Sequence, residues 1–173
     1  MAGLRKGHCY TGIQRAYTRK SKFKSKSYVK AIPFSKIVRF DMGDINKKFT
    51  HKVSLVSLQD IQIRDNSIES CRQLVNRNLI ELLGNDFYFQ IRIYPHHVLR
   101  ENKMITGAGA DRMQTGMQLA FGRPVGIAAR MNEGKEIFTV KTNQDGIEKA
   151  KEALKKATPR LPGKYGISVK RLN

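Results

Sequence analysis

The alternation of apolar and polar positions is clearest at residues 87–94, where Phe87, Phe89, Ile91 and Ile93 take turns with Tyr88, Gln90, Arg92 and Tyr94. A period of two marks a strand with one buried face, and Pro95, which cannot donate to a ladder, ends it. A similar run over residues 51–64 sets Val53, Leu55, Ile61 and Ile63 against Lys52, Ser54, Gln62 and Arg64, but Val56-Ser57-Leu58 shifts the phase. A bulge or break near Gln59-Asp60 is predicted there. Ile37-Val38-Arg39-Phe40 reads as a short strand and residues 166–170 as a last one. Residues 127–131 and 137–141 read as two strands joined in a hairpin by Asn132-Glu133-Gly134-Lys135, with glycine where the turn tolerates positive φ.

Two stretches carry the helical period instead. Asn66-Ser67-Ile68-Glu69 has the spacing of a capping box, and Ile68, Cys71, Val75, Leu79 and Leu82 recur at three and four residues until Gly84. Cys71 falls on that apolar face, which predicts a structural thiol. Asn143 can cap a second helix with Ile147, Ala150, Leu154 and Ala157 on its apolar face, and Thr158-Pro159 stops it. Helices separated by groups of strands, with hairpin-type rather than crossover connections, predict an α+β fold: a two-layer sandwich of mixed β-sheet with two main helices. The domain is predicted to span residues 36–173, preceded by an extended arm over residues 1–35. An apolar content of 40% over 173 residues is enough for one core.

Charge changes this picture at the amino end. The first forty residues hold eleven lysines and arginines and no carboxylate, and the first acidic side chain is Asp41. Such a segment repels itself unless a polyanion neutralises it. The whole chain carries a net charge of +19, and the excess sits at its two ends. Arg5, Lys6, Arg15, Arg19, Lys20, Lys22, Lys24 and Lys26 are therefore the candidates for nucleic-acid backbone contact, and binding should be steeply salt-dependent. Tyr10, Tyr17, Phe23 and Tyr28 interleave with these cations, a combination suited to stacking on bases. For Tyr28 and Phe34, docking on the protein's own body is an equally open reading. Membrane binding is disfavoured, because no stretch approaches the roughly 20 apolar residues of a spanning helix. Residues 1–12 lack the apolar core of a signal peptide, and two cysteines without a disulfide suit a reducing compartment, so a cytoplasmic location is expected.

Between Arg100 and Arg123 the periodicity disappears. Residues 101–123 are rich in glycine and methionine, and an irregular segment of that length is usually functional or disordered. Glycines allow close backbone approach to a ligand, and Lys103, Arg112 and Arg123 could reach phosphates. Partial helix packing Met113, Met117 and Leu119 on the core is the competing reading, and for Leu119 and Phe121 core packing is preferred. Catalytic readings are weak. Gly107-Ala108-Gly109 lacks the third glycine of a dinucleotide loop. His96 and His97 are neighbours on an extended chain, so their rings diverge unless a special turn intervenes. His8, Cys9 and Cys71 fall short of a zinc set. No enzyme activity, metal or cofactor is expected.

Gly109-Ala110-Asp111-Arg112-Met113-Gln114-Thr115-Gly116-Met117, followed by Ala120-Phe121-Gly122-Arg123-Pro124, resembles the signature of a large-subunit ribosomal protein family, the universal L-sixteen family, called L-ten-e in archaea and eukaryotes. The likeness extends through Tyr94-Pro95-His96-His97-Val98-Leu99-Arg100, Asn102-Lys103-Met104, Leu161-Pro162-Gly163-Lys164, Cys9-Tyr10 and Phe40-Asp41-Met42-Gly43, and so over nearly the whole chain. The short carboxyl end after Leu172 resembles the archaeal form. The resemblance implies an α+β sandwich with a protruding loop that binds large-subunit ribosomal RNA and helps position tRNA near the peptidyl transferase centre. It implies RNA contact by the arm cations with Tyr10, Arg123 and Lys164. It also implies a tRNA-proximal loop of Lys103, Met104, Gly107, Gly109, Arg112, Gln114 and Gly116, mobile until tRNA is present. Ribosomal RNA, tRNA and other large-subunit proteins are the implied partners, with no small-molecule substrate. Charge alone fits a free RNA-binding or RNA-chaperone protein equally well.

Overall fold

In the computed structural model, residues 4–13, 29, 31–102, 107–108 and 122–172 are described. Among them are eight strands and two α-helices. The strands are β1 (Asp41–Gly43), β2 (His51–Ser57), β3 (Ile61–Arg64), β4 (Tyr88–Ile91), β5 (His97–Glu101), β6 (Arg123–Met131), β7 (Glu136–Thr142) and β8 (Tyr165–Arg171). Helix α1 spans Asp65–Leu83 and α2 spans Ile147–Ala157. Sheet A runs β1-β4-β7-β2-β8 and sheet B runs β3-β6-β5. The α1 helix packs on β3 and β6, α2 packs on β2 and β7, and the helices pack on each other. One apolar cluster joins both sheets to both helices, with Phe87, Phe89, Phe138, Leu55 and Ile68 among its buried members. The α+β sandwich is therefore as expected.

The sheets correct the expectation in two respects. Every pairing is antiparallel rather than mixed. The reason lies in the β7-α2-β8 connection, which is a crossover: β7 and β8 run the same way, but both pair with β2, which separates them. The predicted hairpin of residues 127–141 is the second correction. Its turn exists, with Gly134 at φ 81° and the Lys135 N–H donating to the Asn132 carbonyl at 3.3 Å. Its strands nevertheless part, β6 to sheet B and β7 to sheet A. Glycine in the turn requires only a tight change of direction, which a corner between sheets needs as much as a hairpin does. The break at residues 58–60 is the same kind of corner, since it separates β2 in sheet A from β3 in sheet B. The two corners lie side by side. Ser57 N–H donates to Lys135 O at 3.0 Å, Gly134 N–H to Ser57 O at 2.8 Å, and Glu133 N–H to Asp60 Oδ1 at 2.8 Å. The predicted phase shift is visible as a register irregularity between Leu55 and Val56.

Residues 37–40 belong to no strand, and the strand begins at Asp41. Two amides at the start of this segment are taken by a helix instead: Lys36 N–H, just before it, donates to Asp65 Oδ2 at 3.1 Å and Val38 N–H to Glu69 Oε2 at 3.3 Å. Both carboxylates are buried, and Glu69 also accepts from Arg72 at 2.7 Å. The capping box at Asn66 does not form, because the helix starts one residue earlier and the Asp65 carboxylate accepts from Asn66 N–H at 2.8 Å. Asn143 likewise makes no side-chain cap; a 3-10 turn, Gln144–Gly146, leads into α2.

Candidate nucleic-acid interface

The carboxylates of this protein are largely spent on its own structure. Asp41 accepts from the Tyr88 hydroxyl at 2.5 Å and from Gln90 at 3.0 Å, while Asp65 and Glu69 hold the backbone as described. Burial works against ionising Glu69, yet the Arg72 guanidinium and the Val38 N–H hold its carboxyl below the ordinary range. Glu136 is likewise held down, against burial, by Lys52 at 2.7 Å. Asp86 pairs with Lys47, Glu148 with Lys151 and Glu152 with Lys156. With 33 lysines and arginines against 14 acids, the cations left over need an external polyanion.

Residues 4–13 lie on the body rather than standing away from it. A 3-10 turn, Gly7–Tyr10, carries the segment along β3, where Gln62 N–H donates to Thr11 O at 2.9 Å and Gln62 Nε2 to Tyr10 O at 2.8 Å. The Tyr10 ring sits under the Arg64 guanidinium, 5.5 Å from its centroid, and its hydroxyl accepts from Arg5 N–H at 3.1 Å. A Cβ at Gly126 would lie 3.2 Å from the Leu4 side chain. Sheet B is therefore covered on both faces, by α1 on one and by residues 4–13 on the other, which accounts for the buried Gln62 and Ala128. Phe34, by contrast, is 98% exposed. For that ring, docking on the protein's own body does not occur.

The strands on either side of residues 102–122 are defined. The β5 and β6 strands form a hairpin ladder with Glu101 opposite Arg123 and Arg100 opposite Pro124. Arg5 Nε lies 2.7 Å from Glu101 Oε1, so Arg5, Glu101 and Arg123 come together where the loop leaves the sheet. Gly107 is described, with positive φ and open space about it. Lys103, Met104, Gly109, Arg112, Gln114 and Gly116 lie outside the described residues, as do Arg15, Arg19, Lys20, Lys22, Lys24 and Lys26 and the rings of Tyr17, Phe23 and Tyr28. Of the other predicted contacts, Lys6, Arg123 and Lys164 are exposed. Lys164 stands at the corner between the sheets, where its carbonyl accepts from Leu58 N–H at 3.1 Å.

Two basic clefts were not foreseen. One, of about 350 Å³, is bordered by His8, Arg64 and Arg160 beside Ser67 at the start of α1. The other, of about 520 Å³, is bordered by Arg92, Tyr94, His96, His97, Arg130 and Lys135. Gln62 lies between them, donating to Tyr10 O and accepting from Arg130 Nε at 3.2 Å. Both histidines border the larger cleft because a turn does intervene: His96 N–H donates to Tyr94 O at 3.0 Å, folding the chain about buried Pro95. A signal for this cleft was present in the alternation itself. Arg92 and Tyr94 belong to the polar row of the clearest strand pattern and are exposed, while Tyr88 of the same row is buried.

A two-layer α+β body whose acids are internally engaged, and whose clefts are bordered by arginine, lysine, histidine and tyrosine, defines a basic protein made to lie against a polyanion. The sequence profile of the family described as "Ribosomal protein L16p/L10e" matches residues 14–168. The chain is similar to "Large ribosomal subunit protein uL16" of Methanosphaerula palustris, 43% identical over 168 residues, which cover 96% of this chain and 94% of that protein. It is similar to the protein of the same name from Staphylothermus marinus, 43% identical with 92% and 89% covered, and from Methanospirillum hungatei, 47% identical with 86% and 85% covered. The chain belongs to the L16p/L10e family of ribosomal proteins. No helix among the described residues is long and apolar enough to cross a membrane, and no group of three or more histidines, cysteines or acids among them could hold a metal ion.

Proposed function

We propose that this protein is a structural constituent of the large ribosomal subunit in the cytoplasm, bound to large-subunit ribosomal RNA and to neighbouring large-subunit proteins, with no catalytic role for His96 or His97. The observation that carries the reading is the engagement of most described carboxylates by internal partners in a chain whose net charge is +19. The curated relatives at 43–47% identity bear large-subunit names, which supports it. In this reading residues 1–35 form an RNA-binding arm on a domain of residues 36–173. Arg5, Lys6, Tyr10 and the cations at 15, 19, 20, 22, 24 and 26 contact RNA, with Arg123 and Lys164 on the body. The loop of residues 101–123, raised on the β5–β6 ladder, reaches toward tRNA near the peptidyl transferase centre and supports its placement.

Binding of the full-length protein to isolated large-subunit RNA across a salt series tests the arm. Replacing Arg19, Lys20, Lys22, Lys24 and Lys26 with glutamine should flatten the log–log slope by several units, since each lost phosphate contact removes about 0.9 from it. An unchanged slope would remove the arm from the reading. For the loop, subunits carrying a deletion of residues 103–116 should assemble but accommodate tRNA slowly, and normal accommodation kinetics would refute the tRNA role. Retention on large subunits through a high-salt wash separates a ribosomal constituent from a free RNA chaperone.

A further inference from the structure

The larger cleft has a chemistry that neither arm nor loop explains. Two segments distant in sequence build it: residues 92–97, running from the end of β4 into the start of β5, and the stretch from Arg130 at the end of β6 to Lys135 in the corner before β7. Its volume of about 520 Å³ falls within the range of small-ligand pockets, roughly 300–1,000 Å³. Three cations face it, and among the described residues no carboxylate borders it. Arg92 donates to the neutral amide of Gln90 at 3.1 Å. The acid that feels Arg92, Glu136, is already bound by Lys52 through both oxygens, at 2.7 and 2.9 Å. Gln62 fixes Arg130 from the far side.

Beside the cations stands a short ladder of rings. Phe40, packed against the core, stacks with Tyr94 at 5.6 Å and 21°, and Tyr94 meets His96 at 4.6 Å with the ring planes tilted by 48°. Tyr94 is 49% exposed and His96 is exposed, so the ladder ends in solvent at the cleft. Convergent cations beside an open ring surface match a phosphate joined through a sugar to a flat base. A base in a duplex cannot reach such a surface, whereas an unpaired one can. Burial, then Arg130 and Arg100, push the His97 imidazole down to about 4, so it is neutral at physiological pH and able to accept a hydrogen bond from a hydroxyl.

We propose that this cleft takes up one unpaired nucleotide of RNA, its phosphate held by Arg92, Arg130 and Lys135 and its base laid on the Tyr94–His96 rings. The proposal rests on the reading of the chain as RNA-binding and names the RNA feature recognised by the body rather than by the arm. A free mononucleotide carries the same chemistry, and the test distinguishes the two.

The four histidines, His8, His51, His96 and His97, provide resolved ring signals for NMR on the full-length protein. His51 starts β2, at the end opposite the corners, and serves as the internal reference. A single-stranded hexaribonucleotide, the corresponding duplex, adenosine monophosphate and inorganic phosphate are titrated in turn at moderate salt. The single strand should shift His96 and His97 well beyond His51, with at least tenfold weaker binding in R92Q/K135Q and several-fold weaker binding in Y94L, which keeps an apolar side chain against Phe40. The duplex should bind at least tenfold more weakly at these signals. Equal affinity for phosphate alone would reduce the cleft to an anion site and overturn the assignment of a base. Equal affinity for the mononucleotide would overturn the assignment to RNA. Silent His96 and His97, while large-subunit RNA still binds with a steep salt slope, overturns the cleft alone. A wild-type protein with no affinity for large-subunit RNA strikes the proposed function itself.

Discussion

Arg5 and Glu101, ninety-six residues apart, form an ion pair of 2.7 Å that ties the start of the chain to the strand carrying the long loop. The Glu101 side chain is 15% exposed, and its second oxygen is buried without a hydrogen-bond partner among the described residues. The pair raises the Arg5 guanidinium further above its ordinary range, chiefly through the hydrogen bond to Glu101. Segment and loop base are thus in direct contact.

Replacing Glu101 with glutamine should loosen residues 4–13 without unfolding the sheets. Hydrogen exchange at the Gln62 amide, which donates to Thr11 O, is the readout, and it should accelerate while the core amides of β2 and β7 keep their protection. Unchanged exchange at Gln62 would mean that the Tyr10 and Gln62 contacts suffice to hold the segment.

The two thiols should behave differently. Cys71 is fully buried, its Sγ faces the Ala157 carbonyl at 3.6 Å, and burial pushes its pKa up to about 12. Cys9 is exposed. A thiol reagent at neutral pH should modify one cysteine in the native protein and both in denaturant, with Cys9 identified by peptide mapping. Rapid native labelling of Cys71 would contradict the packing of α1 on the Thr158–Arg160 turn.

Stability should fall with acid before the carboxylates respond. The folded His97 imidazole titrates near 4 against about 6.5 when unfolded, so the unfolded chain takes up the proton first. The contribution is whole above about pH 6.5 and is lost as pH falls toward 4, with a slope of at most about 1.4 kcal/mol per pH unit. Glu69 and Glu136, held below their ordinary range, act in the same direction only at lower pH. Urea unfolding at pH 7, 6 and 5 should show this decline, and H97Q should flatten it. An equal decline in both proteins would assign it elsewhere.

Gly43 leaves no room for a side chain. Its φ is 85°, and a Cβ would sit 2.2 Å from the Phe87 carbonyl oxygen, which accepts from Asp44 N–H. G43A should cost on the order of 2–3 kcal/mol in chemical unfolding, from backbone strain and displacement of β1 from β4. A loss under about 0.5 kcal/mol would show that the edge strand shifts freely.

Periodicity carried much of the fold, and its failures share one cause. It identified which face of a strand is buried, as at Phe87, Phe89 and Ile91, because burial follows the two-residue repeat. It could not say which sheet a strand joins, because that depends on partners remote in sequence. The β6 and β7 strands, adjacent in sequence and joined by a tight turn, looked paired, yet β6 lies between β3 and β5 while β7 lies between β4 and β2. The β5 strand was missed because Val98 and Leu99 are too few to make a pattern. The larger cleft needed Arg92 to meet Arg130 and Lys135 from a segment remote in sequence, which no local window displays. Charge density, a property of composition, sets the first forty residues apart without any structural argument.

The bonds from Lys36 and Val38 amides to Asp65 and Glu69 have a mechanical meaning. Tension applied to the chain at residue 35 arrives at the first turns of α1 before it reaches β1. Two buried carboxylates carry that load, one of them braced by Arg72. The edge of sheet A is thereby spared the tension, and its strand of three residues stands behind a fastening of its own.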